Sequence, residues 1–143
     1  MQVHEVMTRD AECTHPNATI HEAAERMKAL DVGSLPVCES DRLVGMLTDR
    51  DITVRATAEG VPPGLGQVRD VMTREVISCF EDQDVREAVR LMEQKQVRRL
   101  VVLNRDKRLV GIVSLGDLAV KAGDEVINSE ALEQVSEPAA PNR

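Results

Sequence analysis

One pattern is written twice in this sequence, and the duplication constrains the fold more than any other feature. Leu43–Ile52 reads LVGMLTDRDI, and Leu109–Leu118 reads LVGIVSLGDL. Each copy runs from apolar residues to a Gly, with a hydroxyl residue three positions later and an Asp three positions after that. A Gly-x-x-[Thr/Ser]-x-x-Asp motif that recurs in the same context predicts two structural units of the same kind.

The duplication extends over most of the 143 residues. Laying Val6 on Val71 aligns VMTRDAECTH with VMTREVISCF, and the two motifs then fall in register after one inserted residue, Lys107. A unit of about 60 residues is near the lower limit for independent folding, so we expect the two copies to pack together. Gly60–Gln67, GVPPGLGQ, cannot continue a helix or a strand. The predicted organisation is a first repeat at residues 1–60, a linker at 61–67, a second repeat at 68–123 and a tail at 124–143.

Each repeat predicts the order strand, helix, strand, strand, helix. Thr19-x-x-Glu22 and Asp84-x-x-Glu87 are capping boxes, or close to one, and each is followed by apolar residues at helical spacing. Two short apolar runs joined by a polar turn then predict a hairpin. The fold class is therefore mixed α+β, with two β-α-β-β-α repeats. The other predicted elements are Ala11–Thr14, Ser34–Cys38, Arg42–Thr48, Asp49–Glu59, Val76–Cys79, Arg99–Leu103, Arg108–Ser114 and Leu115–Ala122.

Charge and hydropathy argue against two classes of partner. Five acids and one Arg place about −4 of the net charge of −7 in Asp124–Arg143, a tail that we expect to be partly disordered. The rest of the chain is nearly balanced, whereas nucleic-acid binding needs a basic face. No apolar run is long enough for a signal peptide or a membrane span, so we expect a cytoplasmic protein that binds neither nucleic acid nor membrane.

The cysteines and histidines do not predict a metal site. Cys13, Cys38 and Cys79 lack CxxC spacing, and the three His share no spacing typical of metal ligands. Buried free thiols are the default interpretation. Cys13 and Cys38 fall on predicted strands of the same repeat, so a disulfide or a redox sensor is the alternative.

The duplicated units resemble a known family. A tandem of β-α-β-β-α units that open with VMTR and close with Gly-x-x-[Thr/Ser]-x-x-Asp is similar to the cystathionine-β-synthase (CBS) domain pair, or Bateman module. The resemblance covers about Val6 to Val120. It implies a disc-like homodimer with pseudo-twofold symmetry. Two clefts between the repeats would bind an adenosine-containing ligand, either AMP, ADP, ATP or S-adenosylmethionine, with no required cofactor.

The resemblance also implies binding roles for particular residues. Asp51 and Asp117 would accept hydrogen bonds from the two ribose hydroxyls, which suits a carboxylate. Thr48 and Ser114 would reach ribose or phosphate, and free amides of the same helix turn also favour phosphate. The remaining implied contacts are backbone near Cys13–His15 and Ser78–Phe80 for adenine, Val37 and Val102 for the apolar slot, and Arg99, Arg98, Arg50 and Arg55 for phosphate.

The two implied sites are not equal, because Gly33-Ser34 in the first repeat stands where the second has Arg98-Arg99. Thr-x-x-Asp and Ser-x-x-Asp at a strand-to-helix junction are also N-capping patterns, and capping is compatible with ligand binding.

Three classes of function follow from the sequence. The prediction is a regulatory module that binds an adenosine-containing ligand and acts on an unidentified protein. The alternative is a ligand-free dimerisation or adaptor module. An enzyme is disfavoured, since no acid–base pair or nucleophile–His arrangement stands at a usable spacing.

Overall fold

The computed structural model describes residues 1–9 and 11–122, so the predicted tail at 124–143 lies outside the described residues. These residues form a mixed α+β structure, which confirms the predicted fold class. A 3₁₀ turn at Val3–Glu5 comes first, and a π-helix at Ile52–Thr57 continues α2. The elements in chain order are β1 Thr8–Arg9, α1 Ile20–Leu30, β2 Ser34–Glu39, β3 Arg42–Thr48, α2 Asp49–Asp51, α3 Val68–Val71, β4 Ser78–Phe80, α4 Val85–Lys95, β5 Arg99–Leu103, β6 Leu109–Ser114 and α5 Leu115–Lys121.

The chain forms two compact units whose boundaries differ from those of the sequence repeats. The first unit is Glu12–Val76, and the second unit combines the described residues of Met1–Ala11 with residues 77–122. Residues 2–9, QVHEVMTR, and residues 67–74, QVRDVMTR, are the opening segments of the two repeats. Each unit therefore combines the helices and hairpin of one repeat with the opening segment of the other.

In the first unit, α1 and the β2–β3 hairpin enclose an apolar core. Thr19 caps α1 as predicted, because its Oγ1 accepts a hydrogen bond from the Glu22 amide at 3.0 Å. Strands β2 and β3 are antiparallel. Ile20, Leu35 and Val68 are fully buried in one cluster, so the opening segment of the second repeat belongs to this core.

The predicted linker completes the N-terminus of α1. The Ile20 amide donates to the Gly66 carbonyl at 3.0 Å, and the His21 amide donates to the Pro63 carbonyl at 2.9 Å. The first amides of a helix have no partner inside the helix. Residues 61–67 supply two of these missing acceptors.

The second unit is built around a four-stranded sheet in the order β1-β6-β5-β4. β1 pairs antiparallel with β6, β6 antiparallel with β5, and β5 parallel with β4. Asp84 caps α4 by accepting from the Arg86 amide at 2.9 Å. The buried face of α4 shares its core with Val3, Val6 and Met7 of the first opening segment.

Three predicted elements differ from the structure by more than one residue, and one of them is Val76–Cys79, where the strand is Ser78–Phe80. The segment predicted as a closing helix at Asp49–Glu59 is α-helical only to Asp51 and then widens to a π-helix, in which the Ala58 amide donates to the Thr53 carbonyl at 3.0 Å. The Thr53 hydroxyl donates to the Asp49 carbonyl at 3.0 Å, a side-chain bond that competes with regular helix bonding. The extended segment Ala11–Thr14 makes a single bridge, between Thr14 and Val37.

The Gly of each repeated motif is required by close contact with an opening segment. A Cβ atom on Gly45 would lie 2.9 Å from the Thr73 carbonyl oxygen, and one on Gly111 would lie 2.6 Å from the Thr8 carbonyl oxygen. Met46 and Thr73 also exchange two backbone hydrogen bonds, at 2.8 and 2.9 Å. Any side chain larger than hydrogen at these glycines therefore places its Cβ atom against a backbone carbonyl oxygen and pushes the two segments apart.

We expect Gly45→Ala and Gly111→Ala each to lower the free energy of unfolding by about 1–3 kcal/mol, the usual cost of overpacking. Gly64→Ala is the matched control, because a Cβ at Gly64 meets nothing within 4 Å. Urea unfolding under reducing conditions measures all three variants. Equal stability of the Gly45 and Gly64 variants would show that the contact is not constraining.

Candidate functional site

Both repeated motifs form reciprocal capping boxes at strand-to-helix junctions. In the first repeat, the Thr48 amide donates to Asp51 Oδ2 at 3.0 Å, and the Asp51 amide donates to Thr48 Oγ1 at 3.0 Å. In the second, the Ser114 amide donates to Asp117 Oδ2 at 3.2 Å, and the Asp117 amide donates to Ser114 Oγ at 3.0 Å. The capping interpretation of the two motifs is confirmed.

Capping leaves both carboxylates with acceptor capacity. An ionised carboxylate has about four lone-pair positions, and the amide of the capping residue uses one of them. Asp51 and Asp117 are both half-buried, and the Asp51 side chain is 13% exposed. Each oxygen pair can therefore accept further hydrogen bonds from a ligand.

A basic residue ten positions after each motif Gly lies against an opening segment. Arg55 Nη1 donates to the carbonyls of Val71 at 3.4 Å and Met72 at 3.3 Å, and its Nε lies 3.9 Å from Asp51 Oδ1. Lys121 Nζ donates to the Val6 carbonyl at 3.2 Å. Arg55, a predicted phosphate contact, thus donates hydrogen bonds to backbone carbonyls and lies near Asp51, the residue predicted to bind ribose.

The expectation of free amides at the helix turn is wrong for the first repeat. Its Asp49 amide donates to the Gly33 carbonyl at 2.9 Å, and its Arg50 amide donates to Asp49 Oδ1 at 2.8 Å. In the second repeat the Leu115 amide likewise donates to the Arg98 carbonyl at 2.8 Å. Leu115 has no carboxylate, however, and no acceptor for the Gly116 amide occurs within residues 1–9 and 11–122. The first helix turn of the first repeat therefore has no free amide donor at this position. In the second repeat, where Leu115 replaces Asp49, the Gly116 amide is available as a donor.

The predicted phosphate-binding arginines are exposed, and one of them faces the second junction. Arg99 is the direct cross-strand partner of Ser114, whereas Ser34 has that position opposite Thr48 in the first repeat. Arg50 lies exposed on the first turn of α2. Only the second junction thus has a cation on the neighbouring strand at this position.

The residues predicted to contact the adenine base are placed unequally. Val37 and Val102 are fully buried in the cores of their own units, so neither side chain presents surface to a ligand in this structure. His15 is exposed, with its Nδ1 3.1 Å from the Cys38 carbonyl oxygen. Phe80 is half-buried on the last residue of β4.

Sequence reasoning missed the cation above Phe80. The Arg105 guanidinium lies 4.2 Å from the ring centroid, a cation–π contact. Asp82 holds it there through hydrogen bonds, with distances of 2.8 and 2.9 Å. The hydrogen bonding between Arg105 and Asp82 lowers the pKa of Asp82 and raises the pKa of Arg105. The sequence feature that could have predicted this contact is Arg105 in the hairpin turn of the second repeat, which also contains Phe80, the one Phe, Trp or Tyr of the chain.

The described part of the chain lacks the features of two further classes of site. Within it, no three His, Cys, Asp or Glu side chains are grouped so that they could hold a metal ion. No helix there is long and apolar enough to cross a membrane.

The fold and the paired junctions define a tandem module with two related strand-to-helix sites. The chain belongs to the CBS domain family, whose model matches residues 3–56 and 68–122. This match confirms the resemblance found in the sequence.

Three relatives show how close the similarity is. The CBS domain-containing protein YhcV of Bacillus subtilis is 43% identical over 134 residues, which cover 94% of both chains. A crystal structure of Hypoxic Response Protein I, with two coordinated zinc ions, has a TM-score of 0.76 and 34% identity, and the match covers 85% of this chain and 98% of that one. The CBS domain pair of protein MJ0100, in complex with 5′-methylthioadenosine and S-adenosylmethionine, has a TM-score of 0.73 and 27% identity over 86% of this chain and 96% of that one.

We expect loss of either capping hydroxyl to destabilise its own unit. Thr48→Ala and Ser114→Ala should each lower the free energy of unfolding by about 1 kcal/mol, since each removes the acceptor for a helix amide. The matched controls are Thr48→Ser and Ser114→Thr, since each gives one repeat the hydroxyl residue that the other repeat has at the same position. Thermal and urea unfolding compare the four variants, and Ala variants as stable as the controls would contradict the capping role.

Proposed function

We propose that this chain is a regulatory module, not an enzyme, that binds an adenosine-containing ligand at the junctions formed by its two motifs. The ligand class is AMP, ADP, ATP or S-adenosylmethionine. The observation that carries the proposal is the duplicated capped carboxylate, Asp51 in one unit and Asp117 in the other. The complex of the similar MJ0100 pair with two adenosine-containing ligands supports it.

The chemistry of each junction suits a ribose. A carboxylate can accept hydrogen bonds from two neighbouring hydroxyls, and a charged acceptor strengthens both. The hydroxyls of Thr48 and Ser114 accept from the Asp amides, which leaves their own protons free to be donated to a ligand oxygen. Asp51 and Asp117 would therefore bind the ribose, with the capping hydroxyls as neighbouring donors.

The two sites should prefer different groups at the 5′ position of the ligand. Around Ser114, the exposed Arg99 and the Gly116 amide offer donors suited to a phosphate. In the first repeat the Asp49 carboxylate closes the equivalent amide and adds negative charge. We propose that the second site takes a nucleotide phosphate, while the first favours an uncharged or cationic 5′ group such as a sulfonium.

The adenine base would contact backbone near His15 and Phe80. Val37 pairs with Thr14, and Val102 pairs with Cys79, in parallel bridges that position these two segments. We therefore propose that Val37 and Val102 act from the core, by holding the base-contacting backbone in place. Arg50 remains a candidate contact to the ligand from the first turn of α2.

Regulation requires a ligand that distinguishes two states of the chain. A ligand shifts an equilibrium only by the difference in its affinity for the two states. Ligand bound at Thr48–Asp51 or Ser114–Asp117 also touches the caps that begin α2 and α5. We propose that occupancy changes the surface presented to a regulated protein.

Isothermal calorimetry and thermal shift with AMP, ADP, ATP, S-adenosylmethionine and NAD at millimolar concentration test the proposal. We expect one or more adenosine-containing compounds to raise the melting temperature. Asp51→Asn combined with Asp117→Asn should weaken binding by about tenfold or more, because a hydrogen bond to a charged group contributes about 1.5–3 kcal/mol. The single variants assign each ligand to a repeat.

The matched control is Asp106→Asn, which removes one exposed carboxylate from the β5–β6 turn without touching either junction. It should leave every affinity unchanged. No shift with any compound, or a double Asn variant that binds as the unaltered chain does, would overturn the proposal and favour the adaptor alternative.

We also propose that the chain is a homodimer. Val54 and Val120 stand nine residues after their motif glycines, and they are 46% and 82% exposed. An apolar side chain exposed at the same position of both closing helices suits burial against a second copy, and a closed twofold pair is the commonest arrangement.

Analytical ultracentrifugation should find a dimer that Val54→Asp with Val120→Asp weakens by about tenfold or more, because the variant buries charge in an apolar contact. Leu65→Asp is the control, since Leu65 is 80% exposed in the linker. A monomeric unaltered chain, or a double variant that dimerises equally well, would contradict the assignment.

A further inference from the structure

Two thiols of the first unit are brought together by a parallel bridge. The Thr14 amide donates to the Pro36 carbonyl at 2.9 Å, and the Cys38 amide donates to the Thr14 carbonyl at 2.9 Å. Thr14 and Val37 are paired and buried. Because side chains alternate along extended backbone, Cys13 and Cys38 are on the other face. They are diagonal neighbours there, since this parallel register sets Cys13 opposite Pro36 and Cys38 opposite His15. Cys13 is among the neighbouring groups that raise the pKa of Cys38, so the two side chains lie within interaction range.

The backbone on both sides of this thiol pair is held by further contacts. Arg26 Nη1, from α1, donates to the Cys13 carbonyl at 2.9 Å. The His15 ring lies with Nδ1 3.1 Å from the Cys38 carbonyl oxygen. The pair is therefore fixed from the helix side and from the strand side.

The second repeat has no such pair, although it has the same fold. Ser78 and Leu103 stand at the positions of Cys13 and Cys38, and the cysteine of that repeat, Cys79, is at the position of Thr14. Cys79 is 4% exposed in the core. The thiol pair is thus a property of the first repeat alone, and Cys79 is an internal control for an isolated buried thiol.

The two thiols differ in access. Cys13 is half-buried, whereas Cys38 is 2% exposed. Burial, and then the neighbouring Cys13, raise the pKa of Cys38 to about 12. Cys38 is therefore a poor first target for an oxidant, since the thiolate is the reactive form. Cys13 is the member of the pair that solvent reaches.

We propose that Cys13 and Cys38 form a reversible intramolecular disulfide when the protein meets a hydroperoxide. The Cys13 sulfur attacks the peroxide, the O–O bond breaks, and a sulfenic acid forms at Cys13 with release of an alcohol or, from hydrogen peroxide, water. The Cys38 sulfur then attacks the Cys13 sulfur, an S–S bond forms, and the sulfenic oxygen leaves as water with the Cys38 proton. Two thiols are oxidised and one hydroperoxide is reduced.

The bond would link residue 13 covalently to β2, directly beside His15. Formation of a disulfide between these two segments fixes the backbone that the Thr14–Val37 bridge already aligns. This inference does not depend on the proposed function, because it rests on the thiols and their packing alone.

The test uses the full chain, reduced and then exposed to hydrogen peroxide, with free thiols trapped by N-ethylmaleimide before proteolysis and mass spectrometry. We expect a peptide joining Cys13 to Cys38, with Cys79 alkylated, and its loss after dithiothreitol. Sulfinic acid at Cys13 without a bridge, a bridge between two chains, or three alkylated cysteines would each overturn the proposal.

Variants separate the role of each sulfur. Cys13→Ser should slow oxidative loss of the Cys38 thiol by about tenfold or more, because the accessible sulfur is gone. Cys79→Ser should leave the bridge unchanged. Oxidation of Cys38 at the original rate in Cys13→Ser would contradict the order of the two steps. The peptide map of the unaltered chain remains decisive if the buried Cys79→Ser variant does not fold.

Discussion

The packing of an opening segment on a motif glycine is the contact on which each unit depends. Thr73 approaches Gly45 within the first unit, and Thr8 approaches Gly111 within the second, at distances that admit no Cβ. This approach allows the backbone pairing at Met46 and places the opening segment in the apolar core. It also provides the carbonyls that receive the basic residue at the end of each closing helix. The glycine, the pairing and the core therefore form one cooperative arrangement.

The seven residues of each motif, Gly45–Asp51 and Gly111–Asp117, connect this contact with the candidate site. The motif begins at the glycine and ends at the capped Asp, so one short stretch positions both the opening segment and the carboxylate proposed to bind ribose. The two copies keep this framework and differ in charge. Asp49 closes the turn of the first repeat, while Leu115 and Arg99 leave the second open and more positive. Duplication thus gives two sites one geometry, and a few substitutions give them different chemistry.

Local features of this fold could be predicted from the sequence, and non-local ones could not. The Thr19 cap and the bounds Arg42–Thr48 and Arg99–Leu103 match the structure, because capping and alternation act over a few residues. The exchange of opening segments escaped prediction, since it depends on pairing between residues far apart in sequence. At the site, the capping boxes were predictable. The closure of the Arg50 amide by Asp49 was not, because it depends on the rotamer of one side chain.

The exchange of opening segments has a consequence for the order in which the chain is completed during synthesis. Residues 1–9 leave the ribosome about 100 residues before their partners in β6, Gly111 and Ile112. The first unit likewise cannot be completed until Thr73, which pairs with Met46, has been translated after the linker. Domains generally fold as units, N-terminal first. In this chain residues 1–9 belong to the unit whose last described residues are translated after the other unit is complete.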